Sequence, residues 1–199
     1  GNIHRVVSAV RDIFQALPDV AYEHIFADNC STDETLPMLR ELARTDKRIK
    51  IIANARNFGA PRSVFNALLA STGDAAILLA ADLEDPPELI PSFIEKWREG
   101  NPIVFGIREK RSGSRFIALL RKLYYRVLNA VSDDELLNDA GDFVLIDQQV
   151  IEVLRHINHQ EPYLRGILTS IGFPYAGINY GMNKRTWGKS KTNPIYLIM

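Results

Sequence analysis

The chain has 199 residues, 46% of them hydrophobic, which is enough for one well-packed core and too little for two large ones. Lys plus Arg and Asp plus Glu both number 24, so the formal net charge is zero and the balance gives no reason to expect nucleic acid or another polyanion as partner. A single cysteine, Cys30, excludes an internal disulfide and a thiolate metal cluster and fits a reducing compartment, the cytoplasm being the natural one.

No run reaches the roughly 18 to 20 apolar residues of a membrane-spanning helix, and no charged-then-apolar leader opens the chain. The sequence starts at Gly1 without a methionine and breaks off within the apolar residues 195–199. Both ends read as cut, and the natural protein is expected to continue into membrane segments.

Taken in order, Ile3, Val6, Val7, Val10, Ile13, Phe14 and Leu17 fall on one helix face, which Pro18 closes. A strand over 22–27 runs into the turn formers Asp28 and Asn29, and Leu36, Leu39 and Leu42 then repeat at helical spacing. The alternation continues with a strand over 49–53, a helix around 64–69 and a strand over 75–81. A helix then starts at Pro86-Pro87 and reaches Trp97, and a strand follows over 103–105. From Arg108 a basic stretch leads into an amphipathic helix carrying Phe116, Leu120, Tyr124 and Val131. After it come a strand over 143–146, a helix over 147–157, a helix over 163–171, a strand over 174–180 and a basic loop over 184–191.

Strands that alternate with helices and read as continuous apolar runs predict an α/β fold with a mostly parallel central sheet covered on both faces. A parallel sheet that begins with a helix lacks the strand expected before it, so the N-terminal strand reads as missing. The pattern contains no repeat and no linker. The whole of 1–199 is taken as one domain, with a nucleotide-binding half (1–107), an acceptor half (108–191) and the start of a juxtamembrane helix (192–199). In such sheets ligands sit beyond the carboxyl ends of the strands, here at Asp28, at residues 54–59 and at residues 82–85.

Asp82-Leu83-Glu84-Asp85-Pro86-Pro87-Glu88 is a knot of carboxylates released by an apolar strand. Oxygen ligands of this kind suit Mg²⁺ or Mn²⁺ bridging phosphates. The plainer reading is an acidic helix start, with Asp85 as cap and Pro86 at the first position. That reading covers Asp85 and Glu88 but not Asp82 and Glu84. Residues 28–35 read either as a turn with a capped helix or as a base-binding loop, in which the Asp28 carboxylate accepts from ring N–H groups. In Asn54-Ala55-Arg56-Asn57-Phe58-Gly59, small residues let backbone approach a nucleotide and Arg56 is available for phosphate.

The series 28–35, Arg56-Asn57-Phe58-Gly59, Asp82 to Glu88, Asp139-Ala140-Gly141-Asp142-Phe143 and Arg185-Thr186-Trp187-Gly188-Lys189-Ser190-Lys191 resembles the family 2 glycosyltransferases. Within them it is most similar to bacterial polyprenyl-phosphate glycosyltransferases related to dolichol-phosphate mannose synthase. The match runs in order over essentially the whole chain. It implies a GT-A fold, a bound Mg²⁺ or Mn²⁺ and inversion at the anomeric carbon. It places Asp28, Asn29, Arg56, Asn57, Gly59 and Asp82 on the nucleotide, Asp82 and Glu84 on the metal, and Asp142 beside the acceptor with Asp139 behind it. One departure is Ala80, which stands where the family usually has a first aspartate.

A phosphate acceptor is already anionic at pH 7 and needs positioning more than deprotonation. Asp142 is therefore expected to act as base or orienting group, against the plainer reading of a residue that merely starts a strand. Arg108 and Arg126 are assigned to the acceptor phosphate, because arginine pairs bidentately with such groups. Arg185, Lys189, Ser190 and Lys191 are assigned to a loop closing over the diphosphate. Basic residues beside Phe116, Tyr124 and Tyr125 point either to a solvated face or to an anionic lipid surface.

The expected activity is transfer from a UDP- or GDP-sugar to a polyprenyl phosphate at the cytoplasmic face of a membrane, as a membrane-anchored enzyme, with a homo-oligomer left open. A glycosyltransferase acting on a glycan or polysaccharide hydroxyl, or a non-catalytic nucleotide-sugar-binding module, stands as the alternative. His24, His156 and His159 show no metal spacing.

Overall fold

The computed structural model describes residues 2–109, 140–157 and 162–183. Its elements are α1 (Asn2–Gln15), β1 (His24–Asp28), α2 (Thr35–Thr45), β2 (Ile49–Ala53), α3 (Ala60–Leu69), β3 (Ala75–Leu78), α4 (Ile90–Arg98), β4 (Ile103–Arg108), β5 (Ala140–Asp147), α5 (Gln148–Arg155), α6 (Leu164–Ser170) and β6 (Tyr175–Tyr180). A 3₁₀ turn over Pro87–Leu89 precedes α4. The expected helix over 116–131, the basic loop over 184–191 and the juxtamembrane start at 192–199 lie outside the described residues.

The α/β expectation holds. β1 and β2 pair in parallel, with Phe26 beside Ile51. The remaining strands form a second sheet in the order β3-β5-β4-β6, and no ladder joins β1 to β3 among the described residues. β4 and β6 are parallel, whereas β5 runs antiparallel to both β3 and β4. The sense of β5 was not readable from its apolar run, because burial on both faces reports what covers a strand and not which way it points.

β5 shows why the sheet sits at the centre of the molecule. Phe143 and Leu145 face a cluster built with Val6 and Val10 of α1 and Phe93 of α4. Val144 and Ile146 face the opposite cluster, with Leu68 of α3, Ile151 and Leu154 of α5 and Leu168 of α6. Period-2 alternation thus sends successive side chains into two cores, and residues 143–146 are all 2% exposed or less. Each such side chain stabilises the fold by roughly 1.5–3 kcal/mol relative to solvent exposure.

Polar ties complete the frame that positions the loops. Glu23 accepts from the Thr72 amide at 2.7 Å and the Thr72 hydroxyl at 3.0 Å, so the chain enters β1 beside the segment leading into β3. Trp97 Nε1 donates to Asp147 at 2.6 Å, and Asp147 also caps α5 by accepting from the Gln149 amide at 2.8 Å. His24, given no role from sequence, stacks on Phe26 with ring centroids 4.2 Å apart.

Candidate active site

The loops leaving β1 and β2 are bonded into one unit. Asn54 donates its amide N–H to the Asp28 carbonyl at 2.9 Å, which carries the parallel ladder one step past the strands. Beyond it, the Asn29 carboxamide oxygen accepts from Phe58 N–H at 2.9 Å and from Asn54 Nδ2 at 3.2 Å. Asn29 Nδ2 donates to Asn57 Oδ1 at 2.8 Å, and that oxygen also accepts from Gly59 N–H at 2.9 Å. Asn54 Nδ2 reaches Ser63 Oγ at 2.9 Å. Asn29 and Asn57, expected on the nucleotide, therefore hold the two loops together. Gly59 has φ of 85° at the entry to α3, a conformation that favours glycine. Arg56 is exposed, with its guanidinium 4.2 Å from the Phe58 ring centroid.

Asp28 lies in the floor of this unit. It is 4% exposed. One carboxylate oxygen accepts from Ser31 N–H at 3.2 Å, and the other, Oδ1, is buried with no hydrogen-bond partner. A buried carboxylate oxygen left unpaired costs roughly 1–3 kcal/mol or more, so Asp28 Oδ1 is open to a further donor.

The acidic loop after β3 is built differently. Leu83 N–H donates to the Ala80 carbonyl at 3.4 Å, Leu83 adopts a left-handed φ of 59°, and its side chain packs against the core. Glu84 N–H donates to Asp82 Oδ1 at 3.1 Å. Asp82 and Glu84 are both partly buried. Asp85 is 1% exposed. It accepts from Arg108 Nη2 at 3.0 and 3.1 Å and from Arg108 Nε at 3.2 Å. It also accepts a short hydrogen bond from the Tyr180 hydroxyl, which in turn accepts from Arg108 Nε at 3.1 Å. Asn183 N–H reaches the Glu84 carbonyl at 2.9 Å.

This arrangement corrects the capping expectation for Asp85. The turn at Pro87–Leu89 has Pro86 at its cap position, and neither it nor α4 has a side-chain cap. A cap at Asp85 would accept from the N–H at Pro87, which has none, or at Glu88, but its carboxylate is taken up by Arg108 and Tyr180 instead. Arg108, assigned from sequence to an acceptor phosphate, here spends Nε and Nη2 on Asp85 and Tyr180. Burial works against its charge, but the Tyr180 hydroxyl and the Asp85 carboxylate outweigh it and hold the guanidinium above its usual pKa. The same surroundings push Tyr180 up to about 12, first by burial and then through its bond to Asp85.

Asp142 stands at the start of β5, and its side chain is 88% exposed, with Arg165 Nη2 at 3.5 Å. Its neighbour Gly141 touches the Asp85 group: a Cβ at Gly141 would come 3.1 Å from Arg108 Nε and 3.2 Å from the Tyr180 hydroxyl. Sequence reading missed Tyr180, Asn183 and Arg165. Their spacing carries no local signal, because Tyr180 lies 95 residues from Asp85. The expected site residues Asp139, Arg126, Arg185, Lys189, Ser190 and Lys191 lie outside the described residues.

The donor set of the acidic loop fits one kind of cation. Among the described residues no group of three His, Cys, Asp or Glu side chains comes together to hold a metal. The carboxylates of Asp82 and Glu84 are hard oxygen ligands. They suit Mg²⁺ or Mn²⁺, ions that keep most of their coordination for water and substrate phosphates. They do not form a closed cage for a bare ion.

Comparison with known proteins gives the family and the fold. Among relatives, "Uncharacterized glycosyltransferase YkcC" of Bacillus subtilis (strain 168) is 33% identical over 190 residues, covering 95% of this chain and 58% of that protein. "Bactoprenol glucosyl transferase" of Shigella phage SfX is 32% identical over 181 residues, 90% of this chain and 59% of that one. The chain thus spans less than two thirds of the length of these relatives.

Glucosyl-3-phosphoglycerate synthase from Mycobacterium tuberculosis, solved with phosphoglyceric acid, superposes with a TM-score of 0.58 at 20% identity over 96% of this chain and 70% of that one. Mannosyltransferase PcManGT from Pyrobaculum calidifontis, solved with GDP-Man and Mn²⁺, gives a TM-score of 0.53 at 15% identity over 89% of this chain and 53% of that one. These likenesses establish the GT-A fold. The model of Glycosyl transferase family 2 matches residues 1–155, which span β1 to β5 and both strand-exit loops, and the chain belongs to that family.

Proposed function

We propose that this chain is the catalytic domain of an inverting glycosyltransferase that moves a sugar from a UDP- or GDP-sugar to a polyprenyl phosphate at the cytoplasmic face of a membrane. The observation that carries the donor side is Asp28: a buried carboxylate at a strand exit with one oxygen unpaired, fitted to accept from the ring N–H of uracil or guanine. The acceptor class is supported by the relatives named as bactoprenol glucosyl transferases. No described helix is long and apolar enough to cross a membrane.

In this reading residues 1–107 bind the donor. Asp28 fixes the base, and the bonded loops at 28–31 and 54–59 fix the direction in which the nucleotide leaves it. Asp82 and Glu84 would hold Mg²⁺ or Mn²⁺. When bound, such an ion neutralises charge developing on the departing diphosphate. Residues 108–191 present the acceptor. Asp142 orients the acceptor phosphate on the face opposite the leaving group, and Arg165 beside it supplies positive charge to that anion. Arg126, together with Arg185, Lys189, Ser190 and Lys191, serves the acceptor phosphate and the diphosphate.

Incubating the full-length protein with polyprenyl phosphate and a panel of UDP- and GDP-sugars is expected to give a lipid-linked sugar. Asp82→Asn is expected to lower transfer by about 100- to 1000-fold, the equivalent of several kcal/mol of lost charge stabilisation, with an unchanged melting temperature. Unchanged turnover in that variant rejects the metal assignment. Transfer to glycan hydroxyls alone rejects the lipid acceptor.

A further inference from the structure

We infer that Asp85, Arg108 and Tyr180 form a positioning clamp that locks the acidic loop carrying Asp82 and Glu84 to the strand start carrying Asp142, so that donor-side and acceptor-side groups are held in one register. The inference rests on the functional reading for what the positioned groups do, but the clamp itself rests on contacts.

Two strand ends meet at a single carboxylate in the loop after a third strand, and one strand start packs against them. Asp85 follows β3, Arg108 ends β4 and Tyr180 ends β6, and all three are bonded to one another. Gly141, the second residue of β5, packs against the Arg108 and Tyr180 atoms of the same group. No other hydrogen-bonded group described above touches both the acidic loop and the strand bearing Asp142.

The clamp also accounts for the shape of the loop. Among the described residues Leu83 is one of two non-glycine residues with positive φ, at 59°, and a bulky residue there costs of order 1–3 kcal/mol. Such a conformation persists only where neighbours over-determine it. Here the Leu83 side chain is packed in the core, the Glu84 carbonyl is held by Asn183, and Asp85 is anchored one residue further on. Asp82 and Glu84 alternate with these anchored positions, so their direction is set by them.

Stability alone is a weak reason for such a group. An ion pair with one partner buried and the other partly exposed returns little net free energy over a well-packed apolar replacement, and two core residues, Phe93 and Phe143, already pack here with ring centroids 4.6 Å apart. What an apolar replacement fails to supply is direction. Partners that orient ligating carboxylates typically change metal affinity by roughly 10- to 100-fold when removed.

The test uses the full-length protein with Tyr180→Phe and Asp85→Asn. Tyr180→Phe keeps the ring, which meets Phe143 edge-on at 5.8 Å, and removes only the hydroxyl. Amide hydrogen exchange is expected to rise at 82–85 and 140–142 and to stay at the wild-type rate in 24–28 and 49–53. In a second arm UDP or GDP binding is followed by calorimetry as Mn²⁺ is titrated. The Mn²⁺ concentration for half-maximal binding is expected to rise roughly 10- to 100-fold in Asp85→Asn and less in Tyr180→Phe, with nucleotide affinity at saturating Mn²⁺ unchanged. A merely structural group lowers the folded fraction and leaves that midpoint where it is.

Unchanged exchange at 82–85, exchange raised evenly over the whole fold, or an unmoved Mn²⁺ midpoint overturns the clamp. If the wild-type protein binds neither nucleotide with Mn²⁺, the functional reading fails by itself, and the exchange pattern alone decides the clamp.

Discussion

Asp28 ends β1 and Asp85 lies in the loop that leaves β3, and the two aspartates are 4% and 1% exposed respectively. Burial does not distinguish them, but hydrogen bonding does. Asp85 is saturated by a guanidinium and a phenol. Asp28 keeps one oxygen without a donor. The first arrangement is complete without a ligand and therefore serves the framework. The second is incomplete, and in the proposed reading its missing donor is a ring N–H of the nucleotide base. At strand exits of this kind, the useful question is not which carboxylates are buried but which have finished bonding.

The contrast is broken most sharply by deleting each carboxylate. Asp85→Ala leaves the partly exposed Arg108 guanidinium without its counter-ion and the Tyr180 hydroxyl without its acceptor, and is expected to cost roughly 1–3 kcal/mol of stability. Asp28→Ala removes one bond to the Ser31 amide and also removes an unpaired oxygen, so it is expected to cost less than about 1 kcal/mol. Urea unfolding of both variants measures the difference. Equal costs would mean that Asp28 is as much a framework residue as Asp85.

A gentler change sharpens the comparison from the side of function. Asp28→Asn keeps the shape but replaces an acceptor by an amide that presents N–H groups to the same ring N–H. Nucleotide affinity is expected to fall roughly 10- to 100-fold, corresponding to about 1.5–3 kcal/mol for a bond to a charged group, with the melting temperature unchanged. Calorimetry with UDP and GDP measures it, and undiminished affinity removes Asp28 from the base site.

Local chemistry made much of this legible. The strand at 49–53 was placed to the residue, and α5, α6 and β6 to within a few residues, because each is an apolar run bounded by turn formers or prolines. The strand-exit rule points to Asp28, to 54–59 and to 82–85 from the sequence alone. What stayed hidden was long-range. Asp85 reads locally as a helix cap, and its actual partners stand 23 and 95 residues away. Asn29 and Asn57 read as ligand groups, and their bond to each other across a separation of 28 residues left no mark in the sequence. Polar side chains in a loop announce that something will be bonded there, but not whether the partner is substrate or protein.

The smallest expected effect is absent at neutral pH and appears only in alkali. Tyr180 is held neutral in the fold with its pKa pushed up to about 12, first by burial and then by its bond to Asp85, while an unfolded tyrosine ionises near 10. The folded pKa lies above the unfolded one, so the contribution is fully present below pH 10 and is lost as pH rises towards 12. Tyr22 is shifted upward too, by burial first, and adds to any alkaline loss in the whole protein. The difference between wild type and Tyr180→Phe removes that background. Measured by urea unfolding between pH 9 and pH 12, the advantage of the wild type over Tyr180→Phe is expected to be constant up to pH 10 and to shrink above it. An advantage that does not change across that window would mean that the phenol gives up its proton in the fold as readily as in water, and the bond to Asp85 would then lose its place in the contrast with Asp28.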